Sequence, residues 1–375
     1  MISHWLDRLR GAGRRARAPP ALPVFSLAKL ARENPGLAAH FQWSANSAPT
    51  LPAPLWLHLG CGERVLDGFV NLDFIPHDDR VLAWNLLDLW PDAMADTAAG
   101  VFSEDVLEHF FHGEQVYILC NVNRVLQPGA VARTLMPSLT KLVDYSADYK
   151  PMPDEFLHSS FGVETGADAL NIGLRFSGHR WLHSAQSLGF MAESCGFAVE
   201  PTSCAMSPVE KFNGLNLRDE SNSLSFASDL RKVRPISRTL LMPQSIRGAQ
   251  AVEELADGAQ LYVATAARPT VGYAAPQPVD ARALACINVR SSNLSSFAEH
   301  NLKTLAVDAV NRDRPWYFDE TLKSRPCMNL VTRSQARLVL GEAPSFSRLW
   351  FSPAVHAGEY FTLGCMEIYL LDEGR

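Results

Sequence analysis

Between residues 55 and about 232, short β-rich runs alternate with amphipathic segments, and this alternation restricts the fold more than any other feature of the chain. Strands that pair in parallel need long return connections, so the pattern predicts a mostly parallel α/β sheet covered by helices. From about Pro278 the runs become purely β, at 285–289, 304–307, 336–340, 348–352 and 360–370, with turns between them. A small all-β sandwich is the expected outcome there. A chain of 375 residues has room for both units. The expected organisation is a basic leader and linker over 1–52, an α/β domain over 53–232, a connecting segment over 233–277 and a β-sandwich over 278–375.

Hydrophobic residues make up 47% of the chain and charged residues 20%, enough apolar surface for a soluble globular protein. A net charge of -6 supplies no general attraction to phosphate backbones, so nucleic acid is not an expected partner. The leader carries Arg8, Arg10, Arg14, Arg15 and Arg17 beside Trp5, Leu6 and Leu9, without the continuous apolar stretch of a secretory signal. It reads as a solvated basic segment, or as a short amphipathic helix making weak contact with an anionic membrane surface. The seven cysteines are scattered, with no Cys-x-x-Cys pair and no local His/Cys cluster. No metal site is expected from them, and their odd number points to a reducing cytoplasm.

The run Leu55-Trp56-Leu57-His58-Leu59 leads straight into Gly60-Cys61-Gly62. A strand followed by such a loop reads as a ligand-facing turn, because a Cβ would block close approach of a nucleotide-like group and such turns use positive φ. A second strand ends at Asp73, thirteen positions on (73 minus 60). An ionised carboxylate there accepts two hydrogen bonds, which suits a ribose diol; the alternative is a solvated strand-end aspartate. A nicotinamide site would need a third glycine where Val65 stands.

These segments resemble the first motif of class I (Rossmann-like) S-adenosylmethionine-dependent methyltransferases, in particular the bacterial type that reads Leu-Asn-Leu-Gly-Cys-Gly. Asn85-Leu86-Leu87-Asp88-Leu89 resembles the family's third strand end, and the run from Val101 to Phe110, with Val106-Leu107-Glu108-His109, its fourth-strand segment. Arg124-Val125-Leu126-Gln127-Pro128-Gly129-Ala130 resembles the turn before strand five. His179-Arg180-Trp181 and Ser194-Cys195-Gly196-Phe197 resemble the late helix and its exit, with a closing strand at 223–226. The resemblance covers about half the chain and implies a Rossmann-like domain with helices on both faces and S-adenosylmethionine as cofactor. It further implies cofactor contacts by His58, Gly60, Cys61, Gly62, Asp73, Asp88, Leu89, Ser103 and Glu104. His58 stands where the family often has an acidic or amide residue that contacts the methionine amino group; only a neutral imidazole accepts that bond.

The sulfonium brings its own reactivity, so such a protein aligns an acceptor and excludes water. For an oxygen acceptor a general base helps, and His109, His112, His158 and His179 are candidates. His109 comes first, because it follows strand four at the ligand-bearing edge. Otherwise it packs against its loop while Glu108 caps a helix or faces the cofactor. His179 would reach the site from the late insertion. Arg175 and Arg180 would clamp an acidic sugar or phosphate, or be solvated. Cys61 reads as a small neighbour of the cofactor. The polar segment 141–178 reads as a lid or acceptor wall. The strand phrase from Arg348 to Pro353 and the residues from Gly358 loosely resemble accessory β-sandwich modules beside glycan-modifying enzymes. There Trp316, Tyr317, Trp350 and Tyr360 would stack on sugars or fill the core. The expectation is methylation of a hydroxyl on a cell-surface glycan or its precursor, with a small-molecule or glycan acceptor. The alternative is a non-catalytic glycan-binding scaffold.

Overall fold

The apolar run 55–59 becomes an interior strand, third of seven, in a single sheet of the computed structural model. The structure describes residues 54–372 apart from 152–155, 176–177, 218–223, 255–259, 267–268, 294–300, 308–315, 321–327, 333–344, 354–356 and 359. The strands are β1 (Leu55–Leu59), β2 (Val70–Asp73), β3 (Val81–Ala83), β4 (Ala98–Glu104), β5 (Leu126–Pro137), β6 (Phe197–Thr202) and β7 (Ser225–Lys232). Their spatial order is β3-β2-β1-β4-β5-β7-β6. The first five pair in parallel, and β7 runs antiparallel between β5 and β6. The predicted closing strand therefore starts at Ser225 and runs to Lys232.

Helices are expected on both faces; among the described residues the two that join the sheet's main core lie on one face. Leu57, Leu59, Val101 and Ala132 pack against α1 (His112–Val125) and α5 (Ala185–Ser194), through Ile118, Val122, Leu188 and Met191. On the other face, Phe102, Leu135 and Ala227 lie under loop residues Leu66, Phe69, Cys204 and Val209 and the single 3-10 turn Glu210–Phe212. Chain length is the reason. Ten residues (60–69) join β1 to β2 and seven (74–80) join β2 to β3, too few for a crossover helix. Three further helices, α2 (Leu139–Ala147), α3 (Phe156–Phe161) and α4 (Gly166–Arg175), fill the excursion after β5, with α2 started by the Ser138 hydroxyl, which accepts from the Lys141 backbone N–H.

The rest of the described chain is a two-sheet β-sandwich. Strands β8 (Ile236–Leu241), β9 (Ser245–Arg247), β10 (Ala249–Glu254), β11 (Gln260–Ala264), β12 (Thr270–Asp280), β13 (Leu284–Asn293), β14 (Asn301–Val307), β15 (Trp316–Glu320), β16 (Met328–Thr332), β17 (Ser345–Ser352) and β18 (Tyr360–Leu371) build it. One sheet runs β10-β11-β18-β13-β16 with β8 beside β18, the other β15-β14-β17-β12-β9. Residues 233–277, expected as a connection, thus supply β8 to β11 and the start of β12. Their polarity reflects position: β9 and β10 are edge strands, where apolar side chains are a liability. The predicted strand at 336–340 and the leader lie outside the described residues.

The two units share a core. Ile287, Val289, Leu363 and Ile368 face the second sheet, whereas Cys286, Tyr369 and Leu371 join the core around α1. Helix α1 is buried on every side from Gln115 to Val125, as expected of a helix between two layers. Its polar groups are matched across the seam. Tyr117 Oη lies 3.3 Å from Glu367 Oε1, Tyr369 Oη lies 3.2 Å from Asn121 Oδ1, and Asn123 bonds the backbone of Arg234 and Ile236. Among the described residues no helix is long and apolar enough to cross a membrane.

Candidate functional site

In the order β3-β2-β1-β4-β5 the chain winds one way from β1 and the other way from β4, so a crevice opens outside their carboxyl ends. Gly60 leaves β1 there with φ +59°. A Cβ on Gly60 would come within 2.5 Å of Val106 Cγ2, so glycine is what lets the loop sit against the exit of β4. Gly62 has φ +54°, and a Cβ there would meet nothing within 4 Å. The carboxylate that ends β2 closes the loop: Gly62 N–H donates to Asp73 Oδ2 (2.8 Å) and Ile75 N–H to Oδ1 (2.9 Å), while Cys61 N–H donates to the Leu72 carbonyl. Gly60, Gly62 and Asp73 therefore converge on one rim.

The remaining predicted cofactor residues divide. Asp88 and Leu89 follow β3 on the same edge, Leu89 exposed and the Asp88 carbonyl accepting from Tyr117 Oη (2.9 Å). Glu104 ends β4 beside the rim, but its carboxylate pairs with Arg64 (3.2 Å) and accepts from the Leu217 N–H, bracing two loops. Ser103 is buried in the sheet with its hydroxyl on Thr134. His58 lies beneath the glycine loop, against Phe69 and Phe102. Asn71 donates its amide to the Leu66 and Phe69 carbonyls, which leaves Oδ1 to accept from His58 Nδ1–H (3.0 Å). Burial lowers the His58 pKa to about 4, so the ring is neutral and acts as a brace for the loop rather than as a group on the rim. Cys61 is buried, and desolvation pushes its thiol up to about 12, which removes it as a nucleophile. Sequence reasoning missed Phe74 and Ile75, both about half exposed directly after Asp73. An apolar pair beside a conspicuous carboxylate was the available signal.

Beyond β4 the chain passes Asp105, at φ +55°, into the 3-10 turn Leu107–His109. The late segment is zipped onto this turn, with Arg180 N–H and Trp181 N–H donating to the Glu108 carbonyl (2.7 and 3.2 Å). The His109 and His179 ring centres stand 5.3 Å apart. A carbonyl can only accept, so the 2.9 Å contact of His179 Nδ1 with Gly173 O makes Nδ1 the protonated nitrogen and leaves Nε2 with its lone pair. Desolvation first, then the neighbouring His179, hold the His109 pKa below its ordinary value. Glu108 is fully buried beside them, and one donor atom from each of Glu108, His109 and His179 lies within 4.8 Å of the others. No metal was expected from the sequence, yet the fold assembles a metal-capable set.

The other predicted groups stand apart. His158 binds the Val163 carbonyl in the α3 excursion, His112 packs on Trp181, and Arg175 is exposed at the end of α4. Arg180 lies over the Phe111 ring at 4.9 Å. A second unforeseen residue is Gln115. Its buried amide donates to the Leu107, Phe110 and Trp181 carbonyls, and its Oε1 accepts from His183 Nε2–H (2.7 Å). It ties the turn, α1 and the late segment together. In the sandwich Trp350 is half-buried, while the side chains of Trp316, Tyr317 and Tyr360 lie outside the described residues.

No family model and no curated protein matches the chain. Among solved structures, a SAM dependent methyltransferase from Archaeoglobus fulgidus is 14% identical, covering 55% of this chain and 92% of its own, with a TM-score of 0.29. A chain from the complex between the Haloferax volcanii Trm112 methyltransferase activator and a methyltransferase is 13% identical, covering 55% and 94%, with a TM-score of 0.30. The low affinity xylan binding module CBM86 from Roseburia intestinalis is 10% identical, covering 36% and 96%, with a TM-score of 0.25. Likenesses this faint establish neither a family nor an activity.

Proposed function

We propose that the chain is an S-adenosylmethionine-dependent methyltransferase acting in the cytoplasm on a sugar hydroxyl of a cell-surface glycan or its precursor. The observation that supports it is the Asp73 carboxylate held by the Gly62 amide at 2.8 Å, next to a glycine whose Cβ direction is open space. That cradle fits an adenosyl group. Each Asp73 oxygen takes one backbone amide and keeps acceptor capacity toward a vicinal diol, and Phe74 and Ile75 offer an apolar shelf beside it. The bound cofactor supplies the electrophilic methyl group. The protein's part is alignment: the late segment fastened to the turn Leu107–His109 puts His109 and His179 past the end of β4, where an imidazole nitrogen takes up the proton an acceptor hydroxyl sheds. What supports a glycan acceptor is the β-sandwich and the loose resemblance of its strands to modules beside glycan-modifying enzymes.

A non-catalytic scaffold is the second reading, favoured by one observation: His58 is buried beneath the loop, 3% exposed, with Nδ1 held by Asn71. Calorimetry with S-adenosylhomocysteine separates the two. An enzyme binds, and absence of heat at millimolar ligand leaves the scaffold. Labelled S-adenosylmethionine with sugar nucleotides and glycan fragments then tests the acceptor; transfer only to a non-sugar ends the glycan assignment.

A further inference from the structure

We propose that Glu108, His109 and His179 bind a divalent transition-metal ion, zinc(II) being the best match, at the acceptor end of the cleft. The donor set is one carboxylate and two imidazoles, with donor atoms already within 4.8 Å of one another. Ligands of a tetrahedral zinc lie roughly 3.4 Å apart, so side-chain rotations on the order of an ångström close the site. Mixed nitrogen and oxygen donors favour zinc over magnesium, which takes oxygen ligands and keeps its waters.

The outer contacts are those a metal site needs. His179 donates Nδ1–H to the Gly173 carbonyl, the kind of outer contact that fixes a ligand ring and leaves Nε2 as the nitrogen able to bind an ion. The backbone bonds from Arg180 and Trp181 to the Glu108 carbonyl lock the two contributing segments together, although the histidines are seventy positions apart (179 minus 109). Burial of Glu108 favours an ion as well, because a carboxylate taken out of water gains most from a dication in contact. The Arg180 guanidinium, next to His179 in the chain and over the Phe111 ring, is the positive charge that opposes an ion here. Three protein ligands leave a fourth position open. On the methyltransferase reading, and resting on it, that position would take the acceptor hydroxyl; the ion would lower the hydroxyl's pKa so that its proton passes to solvent water, and the two imidazoles would serve as ligands in place of the general-base role.

The test uses the full chain without a histidine tag, stripped with chelator and titrated with zinc chloride by calorimetry and with cobalt(II) by absorption. The expected result is one equivalent of either ion and the visible bands of low-coordinate cobalt. His179→Ala and Glu108→Gln should weaken binding about 10-fold to 100-fold, His158→Ala should leave it unchanged, and Arg180→Gln should tighten it. Absence of saturable binding, a weak six-coordinate cobalt spectrum, or unchanged affinity in a folded His179→Ala protein overturns the proposal. If both ligand variants misfold, the wild-type cobalt spectrum decides. S-adenosylhomocysteine titrated into the same metal-free sample keeps the two readings apart: its binding without zinc binding removes only the metal, and the reverse removes only the methyltransferase.

Discussion

Replacing Gly60 and Gly62 separately by alanine tests whether the loop is shaped for its own packing or for a ligand. Both residues have positive φ, +59° and +54°, so each alanine carries a left-handed backbone cost of about 1–2 kcal/mol, reduced by about 0.4–1 kcal/mol through the stiffer unfolded chain. At Gly62 nothing else changes in the free protein, since no atom lies within 4 Å of the new Cβ. At Gly60 the Cβ meets Val106 Cγ2 at 2.5 Å and Cγ1 at 3.0 Å, and overpacking of that kind adds about 1–3 kcal/mol. Urea unfolding should therefore give a loss of about 1 kcal/mol for Gly62→Ala and about 2–4 kcal/mol for Gly60→Ala. Calorimetry with S-adenosylhomocysteine should show the stable variant to be the poorer binder. A methyl group intruding on the ligand costs about 1–3 kcal/mol, roughly 10-fold to 100-fold in Kd. Gly62→Ala that binds the ligand like the wild type refutes the placement of the cofactor, and equal stability loss at the two positions refutes the packing argument.

Asp73→Asn loses the charge and one acceptor oxygen, so S-adenosylhomocysteine affinity should fall by about 1.5–3 kcal/mol in the same titration, and unchanged affinity would detach Asp73 from the diol. Glu367→Ala removes a fully buried carboxylate that accepts from Tyr369 (2.7 Å) and Asn288 (2.6 Å), lies 3.3 Å from Tyr117 Oη and faces Arg238; Asp92 still pairs with Arg238, so the loss should sit near the low end of about 3–5 kcal/mol in urea. A loss below about 1 kcal/mol would mean the seam between the units is not held by this network. Acid should also unfold the protein early. Burial lowers His58 and His183 from 6.5 to about 4, so between these values the unfolded chain binds the extra protons. The stability from each neutral ring is complete above about pH 6.5 and is lost as pH falls toward 4, about 2 kcal/mol apiece at pH 5 relative to pH 7. The double variant His58→Gln, His183→Gln should flatten the dependence of the urea midpoint on pH over this range; an unaltered slope contradicts the assignment.

Local chemistry was legible in the sequence wherever a residue type has one use at one place. An apolar run ending in Gly60-Cys61-Gly62, with a carboxylate at the end of the next strand, placed the rim, because positive φ and close backbone approach select glycine without help from distant parts of the chain. Short runs rich in β-branched and aromatic residues, separated by turns, likewise announced a β-sandwich near the carboxyl end, since such residues suit a strand wherever it pairs. What depends on partners far along the chain was decided only by the tertiary structure. His58, placed by motif at the cofactor, turns to Asn71 because alternation along β1 points it at the face roofed by a loop. Glu104 pairs with Arg64, forty positions away. Strands β8 to β11 were hidden because half-exposed and edge strands show little apolar pattern. Burial of α1 on all sides depends on the sandwich as well as on the sheet. The meeting of Glu108, His109 and His179 has no trace in spacing at all. It arises because the Glu108 carbonyl bonds the backbone of Arg180 and Trp181, and such a contact is specified by the packing of two segments, not by the composition of either.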